Sequence, residues 1–166
     1  MSRTRILLAA AAILLAVAAP ALTQPKGKPA APAAPPRPAP KLEPVAETRL
    51  LMEGLNLSNF RGLERLLKDK PADVEAWTFI RGQALLIAET GNLLMLRPPK
   101  GDGQDAWLER AAGLREAATA LARSAAARDH DKSQRGLVGV ANACNRCHQT
   151  LRVRVSVEPF ADGAGN

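Results

Sequence analysis

The chain has no tyrosine, only two tryptophans and three phenylalanines among 166 residues, two cysteines and two histidines. Each shortage excludes something. Without tyrosine, and with no basic stripe interleaved with stacking rings, the formal charge of +7 does not read as a nucleic-acid surface. The excess charge is also misplaced for that role. Arg3 and Arg5 lie at the extreme N-terminus and Lys26, Lys28, Arg37 and Lys41 in a Pro/Ala stretch. From Val45 onward 17 basic residues face 15 acidic ones, a net charge near +2. A structural zinc site takes four Cys/His ligands, and two cysteines, the histidine beside them and the distant His130 are a poor supply. No Ser–His–Asp set, no acid paired with a partner base and no phosphate-cradling loop occurs, so no catalytic role is expected. With so few aromatic rings, the core must be built from Leu and Ala or filled by something bulky and non-protein.

Four segments are expected. Residues 1–24 read as a secretion signal: Arg3 and Arg5 form its charged start, Ile6 to Ala19 its apolar stretch of fourteen residues, and small residues follow. The competing reading is an uncleaved anchor, but fourteen residues span only about 21 Å of a ~30 Å hydrocarbon core. Export, to a periplasm or similar compartment, is therefore the expectation. No cysteine follows the apolar stretch to carry a lipid. Residues 25–44 form a Pro/Ala-rich linker that fixes φ repeatedly and removes amide donors. Residues 45–155 form the folded domain, and residues 156–166 a tail without a readable signal.

The folded part shows helical periodicity throughout and no internal repeat. The first helix is expected from Pro44 or Val45 to about Lys68, with Leu51, Leu55, Leu63 and Leu66/Leu67 on its buried face and Asn56 to Asn59 as a weak or kinked middle. The second is expected from Pro71 to about Leu94, with Ala72, Trp77, Ile80, Ala84 and Leu85 inward, ending before Pro98-Pro99. The third covers about Asp105 to Arg128 and is rich in alanine. The fourth covers about Lys132 to Val153. Arg152 to Val157 alternates like a strand or else frays from the last helix. Helices of this length with mostly short connections predict an all-α fold, an antiparallel four-helix bundle.

One motif carries chemistry. Residues 144–148 read Cys-Asn-Arg-Cys-His, the C-x-x-C-H pattern of covalent haem attachment. Positions i, i+3 and i+4 share a helical face. Two thiols there can reach both vinyl groups along one porphyrin edge, and His148 can place its imidazole under the iron as an axial ligand. A thiol–disulfide pair would use the same C-x-x-C but needs a βαβ setting, which the sequence lacks. Covalent haem is usually attached outside the cytoplasm, so signal and motif support one another.

With this motif on the last helix, the chain resembles the cytochrome c′ (class II cytochrome c) family over roughly residues 45–155. The resemblance rests on Cys144 to His148 followed by Gln149-Thr150-Leu151-Arg152, on Ala106-Trp107-Leu108-Glu109-Arg110-Ala111, and on Thr48-Arg49-Leu50-Leu51-Met52. The stretch Arg81 to Pro99 departs from the family pattern, which suggests a divergent branch. The resemblance implies one haem c and its iron, redox partner proteins, and often a homodimer through the first two helices.

It also implies a choice at the sixth coordination position. In one type of member a methionine from the first helix ligates the iron and the protein carries electrons; Met52 stands at that place. In the other type the position stays open to NO or CO, and Met52 would be an ordinary core residue. Trp107 is a candidate to pack on the porphyrin or simply to fill the core. Arg49, one turn from Met52, is a candidate partner for a propionate or a solvated arginine. Arg97, Arg146 and Arg152 are weaker propionate candidates. Met95 reads as core and His130 as a solvated histidine in a polar turn.

Overall fold

The computed structural model describes residue 39 and residues 41–160. The expected signal and most of the linker lie outside these residues. Among the described residues the fold is all-helical, without strands, and no helix is long and apolar enough to cross a membrane.

Helix α1 (residues 48–67) has three parts. A single α-turn, Thr48–Leu50, runs into a π-helical stretch, Leu51–Leu57, and then into regular α-helix, Ser58–Leu67. Pro44 was expected in its first turn and instead precedes it in extended chain, with Glu47 as the N-cap. The irregularity anticipated around Asn56 is present as a widened turn rather than a break. π-Bonding runs from i to i+5, so Leu51 and Asn56 are both buried on one face. Two side chains serve the widened stretch: Asn59 Nδ2 donates to the Leu55 carbonyl at 2.6 Å and Ser58 Oγ to the Glu53 carbonyl at 3.5 Å.

Helix α2 (Val74–Met95) starts at Asp73 rather than Pro71. The Asp73 carboxylate accepts the Ala76 N–H at 2.7 Å and satisfies one of the donors that a helix start leaves open. Trp77, Ile80, Ala84, Ile87 and Leu94 face inward. Ala72 lies before the helix and is exposed, and Leu85 is also exposed, one position off the buried face. Helix α3 (Gln104–Ala126) follows a loop in which Gly101 and Gly103 take φ of 90° and 91°. Helix α4 (His130–Thr150) is capped by Asp129, which accepts the Lys132 N–H at 3.0 Å.

Helices α3 and α4 both stop in a Schellman arrangement, and both place arginine where glycine is usual. After α3, Arg128 (φ 55°) and Asp129 bond back to Ala125 and Ser124 at 2.9 and 3.1 Å. After α4, Arg152 (φ 57°) and Val153 bond back to Gln149 and His148 at 3.2 and 2.8 Å. This explains why both helices end short of the expected Arg128 and Val153: the stop is made without the glycine that signals it.

Sequence neighbours pack on one another, α1 on α2, α2 on α3 and α3 on α4, and α1 also meets α4. The α2–α3 contact is close at Gly91, where a Cβ would lie 2.8 Å from the Ala111 carbonyl oxygen. The α1–α4 contact is polar at one end. His130 Nε2 and Gln134 Nε2 both reach the Leu67 carbonyl, at 3.1 and 2.8 Å. His130 is therefore a partly buried residue that closes the end of α1, not a solvated one. The core between the helices is mostly Leu, Ile and Ala, with Phe60 and Trp77 as its buried rings.

The packed body also extends past the expected boundary at residue 155. Val157 and Phe160 lie against the core, and the Phe160 N–H bonds to Glu64 Oε1 at 3.1 Å. Residues 153–157 are neither strand nor frayed helix. They are extended chain lying back on α4, held by Asn145.

Candidate functional site

A cavity of about 560 Å³ opens between α1, α3, α4 and the segment after α4. It lies within the ~300–1,000 Å³ typical of small-molecule and cofactor sites. Six of the residues singled out in the sequence line it, Cys144, Cys147 and His148 from α4, Met52 and Arg49 from α1, and Trp107 from α3, whereas the weaker candidates Arg97, Arg146 and Arg152 do not. Positions that seemed related only by spacing or by resemblance are thus brought to one space.

The α4 wall carries the two thiols and the imidazole on one helical face. Cys144 is buried, and Asn56 Nδ2 lies 3.9 Å from its sulfur, a weak donor contact. Burial pushes the Cys144 thiol up to about 11, against the opposing pull of the Asn56 contact. Burial also raises Cys147, opposed by the charge of Arg110. Both are free thiols. Reactive redox cysteines usually sit at helix N-termini, where the thiolate is favoured. These two sit near the C-terminal end of a helix and hold their protons, a poor setting for thiol–disulfide exchange. Among the described residues no group of three or more His, Cys, Asp and Glu side chains is placed to hold a metal ion. The chemistry open to this donor set is covalent bonding through sulfur and ligation through one imidazole.

His148 is oriented from behind. Its Nδ1 lies 2.9 Å from the Val155 carbonyl oxygen. A carbonyl only accepts, so this contact is a hydrogen bond when Nδ1 carries the proton, and in the neutral ring that leaves the Nε2 lone pair free.

From α1, Met52 is partly buried against the core within the π-helical stretch and contributes to the cavity wall. Arg49 stands at the mouth. Its guanidinium is exposed and bonded to Glu53 at 2.8 Å, a pairing that raises the arginine above its ordinary value. From α3, the Trp107 indole N–H donates to the Leu94 carbonyl at 2.7 Å. The same carbonyl also accepts the Arg97 backbone N–H at 2.8 Å, so the indole is a further donor to it, and the bond fixes the ring at the wall. Arg97 is occupied elsewhere, donating to the carbonyls of Leu93 and Ala46. Met95 packs against the core, as expected.

Two lining residues that carry an unpartnered polar atom were not singled out. Asn56 had figured only as a helix-weakening residue. It is buried, and its Oδ1 has no hydrogen-bond partner. Arg110 lies three residues after Trp107 on the same face of α3, and its Nε is buried without a partner. Its spacing from Trp107 was the available signal. For Asn56 the signal was its place four residues after Met52, which periodicity alone does not distinguish from a kink. The valines at 153, 155 and 157 also line the cavity, as alternate residues of an extended chain can. Compared with known proteins, the chain matches no protein-family model, no curated protein and no solved structure.

Proposed function

We propose that this chain is an exported mono-haem c-type cytochrome that carries single electrons between redox partner proteins, with haem bonded through Cys144 and Cys147 and His148 as axial ligand. The observation that supports this most is the convergence of those three side chains with Met52, from a helix about ninety residues away in the chain, on one mainly apolar cavity. Asn56 and Arg110 both line that cavity, and each keeps one buried polar atom, Oδ1 and Nε, without a partner, so the polar part of the wall is not closed on itself. The donor set fits covalent haem: two protonated thiols on one face and an imidazole already holding its proton on Nδ1.

The helix lengths and the order of contacts support an antiparallel four-helix bundle of the class II cytochrome c kind. The likeness rests on the motif and its place on the last helix rather than on overall sequence similarity. Bound iron would supply a one-electron couple there, shielded from water. The chain's own contributions are distinct. Trp107, fixed by Leu94, excludes solvent from one side. His148 offers a single oriented nitrogen. Met52 offers a thioether, a ligand that favours the reduced state. Arg49 and Arg110 bring positive charge that suits propionates.

A second reading follows from the same cavity. If Met52 packs without ligating, the apolar lining leaves a place for a small gas such as NO or CO. The absorption spectrum of protein matured with haem separates the two. A low-spin ferrous spectrum indifferent to CO, lost in Met52→Ala, is the expected result. A high-spin ferrous spectrum that shifts with CO in the parent protein would replace electron transfer by gas binding.

A further inference from the structure

We infer that the segment following α4 is a strap that orients His148, and that Asn145, inside the cysteine motif, is the positioning residue that holds the strap in place. The functional meaning rests on the proposed role of His148 as a ligand; the geometry stands on its own.

The strap is attached at three points. The first is the stop of α4, where Arg152 at φ 57° turns the chain and the Val153 N–H bonds to the carbonyl of His148 itself at 2.8 Å. The second is Asn145. Its Oδ1 accepts the Val157 N–H at 2.8 Å and its Nδ2 donates to the Val157 carbonyl at 2.9 Å. One side-chain amide thus supplies both bonds that a neighbouring strand would give. The third is Glu64 on α1, which accepts the Phe160 N–H at 3.1 Å.

Val155 lies between the first two attachments, and its carbonyl is the acceptor for His148 Nδ1 at 2.9 Å. Extended chain pinned two residues beyond Val155 cannot swing that carbonyl away without breaking the Asn145 pair. The imidazole is therefore kept in one tautomer with its rotation restricted, the arrangement by which an outer hydrogen bond sets a ligating histidine. The Asn145 side-chain amide spends its hydrogen bonds on Val157 and not on the imidazole. It acts through the strap.

The test uses the full, haem-free, reduced chain labelled with 15N at histidine and observed by NMR at alkaline pH. There are only two histidines, and they carry opposite expectations. His130 donates to the Leu67 carbonyl from Nε2, so it reports the other tautomer and serves as an internal control. His148 is expected as Nδ1–H in the parent. In Asn145→Ala its Nδ1–H form loses predominance, and the strap amides lose protection by at least about tenfold, while His130 is unchanged. Val157→Pro removes the strap's N–H donor without altering any helix and is expected to give the same shift; it decides the matter should Asn145→Ala fail to fold. A parent His148 that is mainly Nε2–H would overturn the inference. So would a released strap, seen by exchange, with His148 still Nδ1–H. Failure of the chain to bind haem would sink the preceding proposal and leave this result intact.

Discussion

Where α2 lies against α3, local rules and packing agree. The helices are regular, Asp73 caps one and alanine fills the other, and Gly91 stands where no larger side chain fits against Ala111. Around the cavity the same chain breaks these rules. α1 widens into a π-helix, Asn56 is buried with an open acceptor, and the Cys144 thiol is held away from water with Cys147 half-buried beside it. Departures from local preference gathered at one place mark where a sequence has been shaped for something other than stability. On the proposed reading the α2–α3 region is a scaffold and the α1–α4 end holds the site.

The contrast can be broken most directly by deleting packing on each side of it. Leu121 is fully buried where α3 meets α4, with Gly136 closely opposite, so Leu121→Ala should cost about 2–5 kcal/mol in urea unfolding. Met52→Ala in the haem-free chain should cost clearly less, because Met52 already borders open space. Equal losses would mean that the cavity end is packed like the scaffold.

The next effect is the pH response of the buried thiol. An unfolded thiol titrates near 9.0 and Cys144 near 11, so the fold holds this proton more tightly than the unfolded chain does. The contribution is complete below about pH 9 and is lost as pH rises toward 11, by about 2–3 kcal/mol. Unfolding of the reduced, haem-free chain at pH 8 and pH 11 should show this loss, and Cys144→Ala should remove most of it. A parent chain with no such loss would place the thiol in water.

The smallest effect tests the one device that both regions share. Arg128 and Arg152 each hold a left-handed conformation at a helix stop. Glycine relieves about 1–2 kcal/mol of strain there while freeing the unfolded chain by ~0.4–1 kcal/mol. Arg128→Gly and Arg152→Gly should each stabilise by about 0.5–1 kcal/mol in urea titrations. A gain at Arg128 alone would show that the stop after α4 is held by the strap rather than by its own turn.

These particulars also show what the sequence could reveal. The helices and the Cys144–Cys147–His148 face were legible because both depend on spacing within one segment. Met52 and Trp107 were found through the resemblance, and both line the cavity. The polar residues at the cavity were harder. A 3.6-residue period cannot anticipate a π-turn, so Asn56 read as a defect. Asn145 read only as a spacer between cysteines, because its partner Val157 reaches it only after the chain reverses at Arg152. The starts of α1 and α2 were drawn toward Pro44 and Pro71, although the chain uses Glu47 and Asp73 instead. Leu85 was assigned to the inward side of its helix and lies outward by one helical step.

The most direct measurement is the intact mass of the chain purified from a host able to attach haem, beside Cys144→Ala/Cys147→Ala made in the same host. The account predicts a polypeptide heavier by one haem, after allowing for removal of any export signal, and a double variant without that gain. A parent chain weighing only what its amino acids weigh would contradict it.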